Sequence, residues 1–397
     1  MSKTIKIRKG LDIRLKGEAE KVKVDAPVAK TFAVKPTDFH GLIPKMIKKV
    51  GEEVKAGTPI FFDKYREQIQ YVSPVSGTVK EIKRGAKRKI LEVIIDADAT
   101  ISYEKAEVKP VDSLSKEEAK TLLLNGGLWP MLKMRPLDIV ADPKDEPKAI
   151  FISAFDSHPL APDYDFLMHG KDKEFQAGIS VISKLTAGKI NLQLKASTKA
   201  DKAFTDVKGV EINKVHGAHP AGNVGFQIHH INPISKGEVV WVINAQDVAI
   251  IGKYALTGEY DASKYVALTG SGAKNRKYFK TIIGADLSTI FKTNIETEED
   301  IRLISGNPLT GLKVEKEGSY LGFYDYQLTV LPEGNKYKFF LTEGWLGLGF
   351  SKFSASRAYP TWMMPKSRKY VLDTNLNGEE RSFVVSEQYE KVFPMDI

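Results

Sequence analysis

The chain has 397 residues, 42% of them hydrophobic and 27% charged, with a formal net charge of +9 and a pI of about 9.2. That length predicts roughly two to four domains. It contains no Cys, which excludes disulfides, thiolate-held iron–sulfur clusters and Cys-type zinc sites, and no apolar run reaches the ~18 residues that a membrane span needs. The start, Met1-Ser2-Lys3-Thr4-Ile5-Lys6-Ile7-Arg8, lacks the apolar stretch of a secretion signal. A basic balance suits nucleic acid, an anionic membrane surface or an acidic partner. The basic residues are spread, however. The densest run, Lys83-Arg84-Gly85-Ala86-Lys87-Arg88-Lys89, reads as a solvated turn, and no nucleic-acid signature accompanies it.

In chain order, Lys3 to Lys16 reads as a β-rich leader around Gly10. Gly41 to Asp96 then holds two half-copies of one pattern: a β-rich run, a Gly turn (Gly51, Gly85), a second β-rich run and an Asp (Asp63, Asp96). Ser73-Pro74-Val75-Ser76-Gly77 crosses between the halves. This resembles the lipoyl and biotinyl carrier fold, a sandwich of two interlocked hairpin motifs. Such carriers present one Lys at a tight hairpin tip, and here Lys64 follows Asp63. No Ala follows Lys64, there is no Met-Lys-Met, and Tyr65-Arg66-Glu67-Gln68-Ile69 lengthens the hairpin. The expectation is therefore a structural hairpin with an unmodified Lys64.

Lys105 to Val111 forms a charged linker. Ser115 and Glu118 predict a capping box opening a helix that Gly126-Gly127 closes. Strands are predicted over 149–154, 189–194, 210–212 and 239–243, with helices over 170–185 and 245–256. That alternation argues for a three-layer α/β domain. Further strands are predicted over 265–270, 302–306 and 311–314, with a short helix over 287–291. Beyond Pro332 the chain is aromatic and Gly-rich, with Trp345, Phe350, Phe353, Tyr359 and Trp362.

Two patterns invite chemistry and carry little. Leu268-Thr269-Gly270-Ser271-Gly272-Ala273-Lys274 hints at a phosphate loop, but Asn275 follows the Lys where a P-loop has Ser or Thr. His216, His219, His229 and His230 cluster in sequence without a nearby carboxylate or thiol and without helical pair spacing. They read as loop histidines at a ligand or partner surface. The turn Gly217 to Gly222 is built of small residues that something could approach. No Ser-His-Asp order with a nucleophile elbow is found.

Dispersed motifs point one way. They are Lys9-Gly10-Leu11-Asp12, Arg84-Gly85-Ala86-Lys87-Arg88, His219-Pro220-Ala221-Gly222, Ile243-Asn244-Ala245-Gln246-Asp247-Val248, Asn377-Gly378-Glu379-Glu380-Arg381 and Tyr389-Glu390. In this order they resemble the A-subunit family of sodium-translocating NADH:quinone reductases, along the whole chain. That family is related to the C subunit of Rnf complexes and the NADH-binding subunit of complex I. The resemblance implies a multidomain α+β fold. Residues 1–110 would carry an N-terminal β region with a lipoyl/biotinyl-like barrel-sandwich hybrid, 111–258 a Rossmann-like α/β domain, and 259–330 a β-grasp domain of the soluble-ligand-binding type. Residues 331–397 would be a C-terminal region, read as truncated because family members continue with a helical segment.

The flavin-binding relatives carry a Gly-Arg-Gly-Gly-Ala-Gly-Phe-Pro type loop, whose glycines let backbone N–H groups approach phosphate. The equivalent run here is Leu124-Asn125-Gly126-Gly127-Leu128-Trp129-Pro130. Leu128 and Trp129 fill it. The relatives' acidic Glu-x-Glu-Pro type segment is Phe155-Asp156-Ser157-His158-Pro159 here. Lys274 stands where partner subunits that bind flavin covalently have an acceptor Thr.

The implied function is a peripheral subunit on the cytoplasmic side of the bacterial inner membrane. It would belong to a complex that oxidises NADH, reduces ubiquinone and moves sodium. The chain itself would hold no redox cofactor, no metal and no catalytic residue, and would contribute docking or quinone binding. Its partners would be other subunits, quinone and, weakly, anionic lipid, with no nucleic acid. An apolar quinone head needs an aromatic pocket with a few polar donors. Phe39, His40, Trp129, His216, His219 and Gly222 are the candidate pieces. The alternatives are a flavin- and NADH-binding catalytic subunit, and a carrier bearing lipoate or biotin on Lys64.

Overall fold

A computed structural model describes residues 3–295, 300–335, 339, 350, 353 and 360–375. Trp345, Tyr359, Asn377-Gly378-Glu379-Glu380-Arg381 and Tyr389-Glu390 lie outside the described residues. Those described form a mixed α+β chain with sheets of seven, six, four and three strands.

The two smaller sheets make a sandwich. One runs Thr31–Val34, Ile90–Ala97, Gly77–Arg84, Glu53–Val54, and the other Pro44–Met46, Pro59–Asp63, Arg66–Val72. All neighbours in them are antiparallel. Alternating side chains from both, among them Val79, Val93 and Ile95 against Ile60, Ile69 and Tyr71, join one core. Two expectations change here. The hairpin after Asp63 is tight, because Asp63 pairs with Arg66 and only Lys64 and Tyr65 form the turn. Arg66 to Ile69 belongs to the strand. Polar residues there look loop-like in sequence, but Arg66 binds the buried Asp63 carboxylate at 2.7 Å. The turn after Arg84 takes its left-handed residues from Lys87 (φ 53°) and Arg88 (φ 60°), while Gly85 sits at φ −98°.

The seven-stranded sheet is ordered Lys3–Lys6, Glu211–His216, Lys189–Lys195, Ala149–Ser153, Val240–Asn244, Lys133–Arg135, Ile139–Val140. The first five run parallel, and the last two form an antiparallel edge. The helix Lys116–Asn125 starts at the expected capping box: the Glu118 carboxylate accepts from the Ser115 N–H at 3.0 Å. From Ala149–Ser153 the chain winds outward through Lys189–Lys195 to Glu211–His216. Val240–Asn244 instead lies on the opposite flank of Ala149–Ser153. The winding therefore reverses between these two strands.

The six-stranded sheet is ordered Leu312–Val314, Ile301–Ser305, Gln327–Pro332, Ser263–Thr269, Tyr278–Ile282, Lys23–Asp25. The helix Ser288–Asn294 packs on it through Ile290 and Phe291, against Val266, Leu268 and Leu328. The leader does not pair with the sandwich. Lys3–Lys6 edges the seven-stranded sheet, and Lys23–Asp25 edges the six-stranded one. Strand-forming residues are visible locally, but the partner of an edge strand is set by distant sequence.

Candidate functional site

In open parallel sheets a crevice forms outside the carboxyl ends of the strands where the winding reverses. Here that place is an open cleft of about 1580 Å³. Ser153 and Asn244, the last residues of the two strands, stand at its base. Tyr164, Tyr324, Tyr326, Phe155 and Phe226 give it aromatic walls.

Asn244 caps the helix Ala245–Thr257 by accepting from the Gln246 N–H, and its amide donates to the Tyr164 hydroxyl at 2.7 Å. Asp247, in the first turn of that helix, is buried and accepts a hydrogen bond from the Tyr326 hydroxyl. Burial pushes its carboxyl up to about 6, although the nearby Lys264 opposes the rise. Lys264 is itself only 1% exposed. Its ammonium donates to the Phe323 carbonyl at 2.7 Å and lies 4.5 Å from the Tyr326 ring centre. Burial lowers it to about 8, against the pull of Asp247. Burial also holds the Tyr164, Tyr324 and Tyr326 hydroxyls above their ordinary range. The phenols therefore stay neutral donors, as Tyr324 shows by donating to the Pro130 carbonyl at 2.6 Å.

The opposite wall comes from the segment after Ala149–Ser153. His158 hydrogen-bonds the Asp156 carboxylate through Nδ1. Its ring lies 4.8 Å from that of His219, and His219 Nδ1 is 3.0 Å from Ser157 Oγ. Burial, then the neighbouring His158, lowers the His219 pKa. Ser157 Oγ also accepts from the Gly222 N–H at 2.8 Å. Gly222 is needed for this close approach: a Cβ there would stand 2.3 Å from the Ser157 nitrogen.

The structure separates the residues singled out in sequence. Gly222 lines the cleft, and His219 backs it through Ser157 and His158. His216 is exposed at the end of its strand. His229 and His230 are exposed on the helix Val224–Ile231. Among the described residues no group of His, Cys, Asp or Glu is arranged to hold a metal ion. Trp129 is core: fully buried, it donates to the Ala141 carbonyl at 2.8 Å and meets Trp241 edge-on at 5.4 Å. Phe39 is buried at the junction of the three units, against Tyr71 and Phe323, and reaches the cleft only through Tyr324, 5.8 Å away. His40 is exposed on a separate groove, which Phe39 also lines. Sequence reasoning missed Asp247, Lys264, Tyr326 and Tyr164. The one available signal was an acid in the first turn after an apolar strand, within Asn244-Ala245-Gln246-Asp247.

The Gly126-Gly127 loop is closed. A Cβ on Gly127 would stand 2.3 Å from Val72 of the sandwich, and one on Gly126 would stand 2.6 Å from the Tyr254 ring. Leu128 and Trp129 beside them are fully buried. The backbone there packs against protein, so a flavin phosphate does not fit.

Profiles of known families match three stretches of the chain. They are the NqrA N-terminal barrel-sandwich hybrid domain over 5–98, the NqrA second alpha/beta domain over 114–260 and the NQRA C-terminal domain over 265–316. The A subunit of the Na(+)-translocating NADH-quinone reductase of Tolumonas auensis is 36% identical over 396 residues, covering 99% of this chain and 87% of that protein. The chain belongs to the A-subunit family of Na(+)-translocating NADH-quinone reductases. Other members of the family align as fully. The A subunit from Rhodopirellula baltica is 34% identical over 99% of this chain and 86% of its own. That of Pasteurella multocida is 35% identical over 99% and 87%. The sandwich of this family member is thus the barrel-sandwich hybrid. Among solved structures, an NAD+-reducing NiFe hydrogenase in the air-oxidized state aligns over 59% of this chain and 52% of its own, at 11% identity and a TM-score of 0.38. That likeness is too slight to bear on function. Among the described residues no helix is long and apolar enough to cross a membrane.

Proposed function

We propose that the chain serves as a peripheral subunit of a sodium-translocating NADH:quinone reductase, held by protein contacts at the cytoplasmic face of the bacterial inner membrane. Catalysis by this chain alone is not expected. Its partners are the other subunits of the complex. In this reading the α/β unit is Rossmann-like, because parallel strands wind both ways from a central pair. The six-stranded unit is a β-grasp, because a mixed sheet with a central parallel pair packs one short helix.

The quinone site is the cleft between the strand ends, rather than the pocket pieces expected at Phe39, His40 and Trp129. The observation that carries this is the cleft's lining: three tyrosines and two phenylalanines at the winding reversal, with neutral hydroxyl and amide donors at its base. Such walls accept an apolar ring, and the Tyr164 hydroxyl, which accepts from Asn244 and keeps its own hydrogen, and the Asn244 amide meet its carbonyl oxygens. The chain carries no redox cofactor of its own, a reading supported by the closed Gly126-Gly127 loop. The alternative of a flavin- and NADH-binding catalytic subunit loses its phosphate cradle there.

The test is titration of a short-chain ubiquinone into the purified chain. Saturable binding is expected, weakened about five- to tenfold by Tyr164→Phe combined with Asn244→Ala. Absence of saturable binding removes quinone from the reading and leaves docking.

A further inference from the structure

A second concavity lies on the sandwich, away from the cleft. This groove of about 1150 Å³ runs beside the edge strand Pro44–Met46, between His40 and Ile43 on one wall and Arg84, Arg88, Lys89 and Ile90 on the other. No carboxylate lines it. Earlier cations of the same hairpin are neutralised: Lys80 pairs with Asp96 at 3.0 Å and Lys83 with Glu92 at 3.2 Å. Among the described residues Arg84, Lys87, Arg88 and Lys89 form no ion pair. Arg84 donates to the Arg88 carbonyl at 3.2 Å, which ties the turn together and leaves its charge unpaired. The turn keeps cations at φ 53° and 60°, where Gly or Asn would sit with less strain.

The rim of the groove is apolar. Ile43 is 45% exposed, and its carbonyl accepts from the Lys64 N–H at 2.9 Å. That bond brings the hairpin tip alongside, with Lys64 and the 72% exposed Tyr65. Cations beside an exposed aromatic and an exposed aliphatic side chain suit a membrane–water interface. There ammonium and guanidinium groups meet phosphate while the apolar groups enter the headgroup region. An acidic peptide would satisfy the same charges. It would have to add to an edge strand of three residues whose Pro44 lacks a backbone donor, a poor template for strand addition.

We propose that this groove seats anionic phospholipid headgroups, with Arg84, Arg88 and Lys89 on phosphate and Ile43 and Tyr65 at the interface. The inference rests on the reading of the chain as a peripheral membrane subunit. No quinone takes part in its test, so its failure leaves the cleft reading untouched.

The test is sedimentation of the purified chain at low ionic strength with vesicles of equal parts phosphatidylcholine and phosphatidylglycerol, and with phosphatidylcholine alone. Binding is expected only to the first. The triple reversal Arg84→Glu, Arg88→Glu and Lys89→Glu should reduce it about tenfold or more. A control reversal of equal charge, Lys195→Glu, Lys199→Glu and Lys214→Glu, should change it by less than about twofold. An equal loss in both variants would mean that net charge, and no groove, drives binding. Intact vesicle binding in the groove variant, with lost assembly onto partner subunits, would assign the groove to an acidic protein segment and overturn the lipid reading. A second measurement keeps the native charges. The chain has no Cys, so Tyr65→Cys carries one environment-sensitive dye. Its emission should shift to the blue on the anionic vesicles, while a dye at Leu312→Cys, in the six-stranded unit, should not respond. A silent dye at residue 65 would defeat the proposal.

Discussion

Tyr326 donates its hydroxyl hydrogen to the carboxylate of Asp247, joining the six-stranded unit to the first turn of a helix in the α/β unit. Lys264, from a third element, covers the same ring. The three side chains meet at the base of the cleft, where the two units touch. Their joint burial moves the acid and the base toward each other in pKa, Asp247 to about 6 and Lys264 to about 8. The interface should therefore be sensitive to pH on both sides of neutrality.

For Asp247 the folded pKa lies above the unfolded one, so the folded state binds more protons between roughly pH 4 and 6. Its contribution to stability is largest below that window and is lost as pH rises through it. The difference in Tm between the parent and Asp247→Asn should shift in favour of Asn as pH climbs from about 4 to about 6. A pH-independent difference would show that the group is not buried as described.

Lys264 has the opposite sign. Its folded pKa is depressed to about 8, so between roughly pH 8 and 10 the unfolded state binds more protons. Stability from this group rises across that window. Lys264→Met has no such group, so the difference in Tm should move in favour of the parent as pH climbs from about 8 to about 10. Parallel curves throughout the alkaline range would contradict the assignment.

Trp129 is fully buried in the core, edge-on to Trp241. Trp129→Ala should cost about 3–5 kcal/mol by chemical denaturation. Trp129→Phe should cost less and leave quinone titration unchanged. A selective loss of quinone binding in a stable Trp129→Phe protein would return this residue to the site.

Gly222→Ala would place a methyl carbon 2.3 Å from the Ser157 nitrogen. The loop must shift, at about 1–3 kcal/mol, and the Ser157–His219 contact should open. We expect weaker quinone binding with the Trp129 core intact, read by titration alongside thermal melting. Unchanged affinity would separate this wall of the cleft from the ligand.

Lys64 stands at the tip of a two-residue turn, a carrier-like position where the sequence pattern suggests a longer hairpin. The expectation of an unmodified Lys64 therefore rests on its neighbours, Tyr65 where carriers have Ala, and on Asp63 held by Arg66. Intact mass should equal that of the bare chain, 44.2 kDa, and the solution should be colourless. A lipoyl or biotinyl increment on the peptide holding Lys64, or flavin released on denaturation, would refute this.

Local signals are legible in the sequence and meeting points are not. Ser115 and Glu118 announce a helix start because a capping box is closed within four residues. Leu128 and Trp129 betray a filled loop through bulk alone. By contrast, Lys133–Arg135, next to the sheet edge, is only three residues long, and the single buried Met134 between two cations is too short an alternation to announce a strand. Arg66 looks like loop until its carboxylate partner is visible. The cleft is illegible because Asp247, Lys264 and Tyr326 belong to segments that touch only after two units dock. The motif Asn244-Ala245-Gln246-Asp247 stands out in sequence, but its chemistry depends on what packs above it.

The leader segment has a consequence for how the chain is made. Asp12 accepts from the His219 N–H, 207 residues away, and Lys23 pairs with Tyr278. At about 5–20 residues per second, these segments wait on the order of ten to fifty seconds after leaving the ribosome before their partners exist. During that interval two strand-forming segments have no sheet to join. The sandwich, whose strands are close in sequence, can close meanwhile. These segments thus act as a late clasp, translated before the sandwich but fastened after it can close.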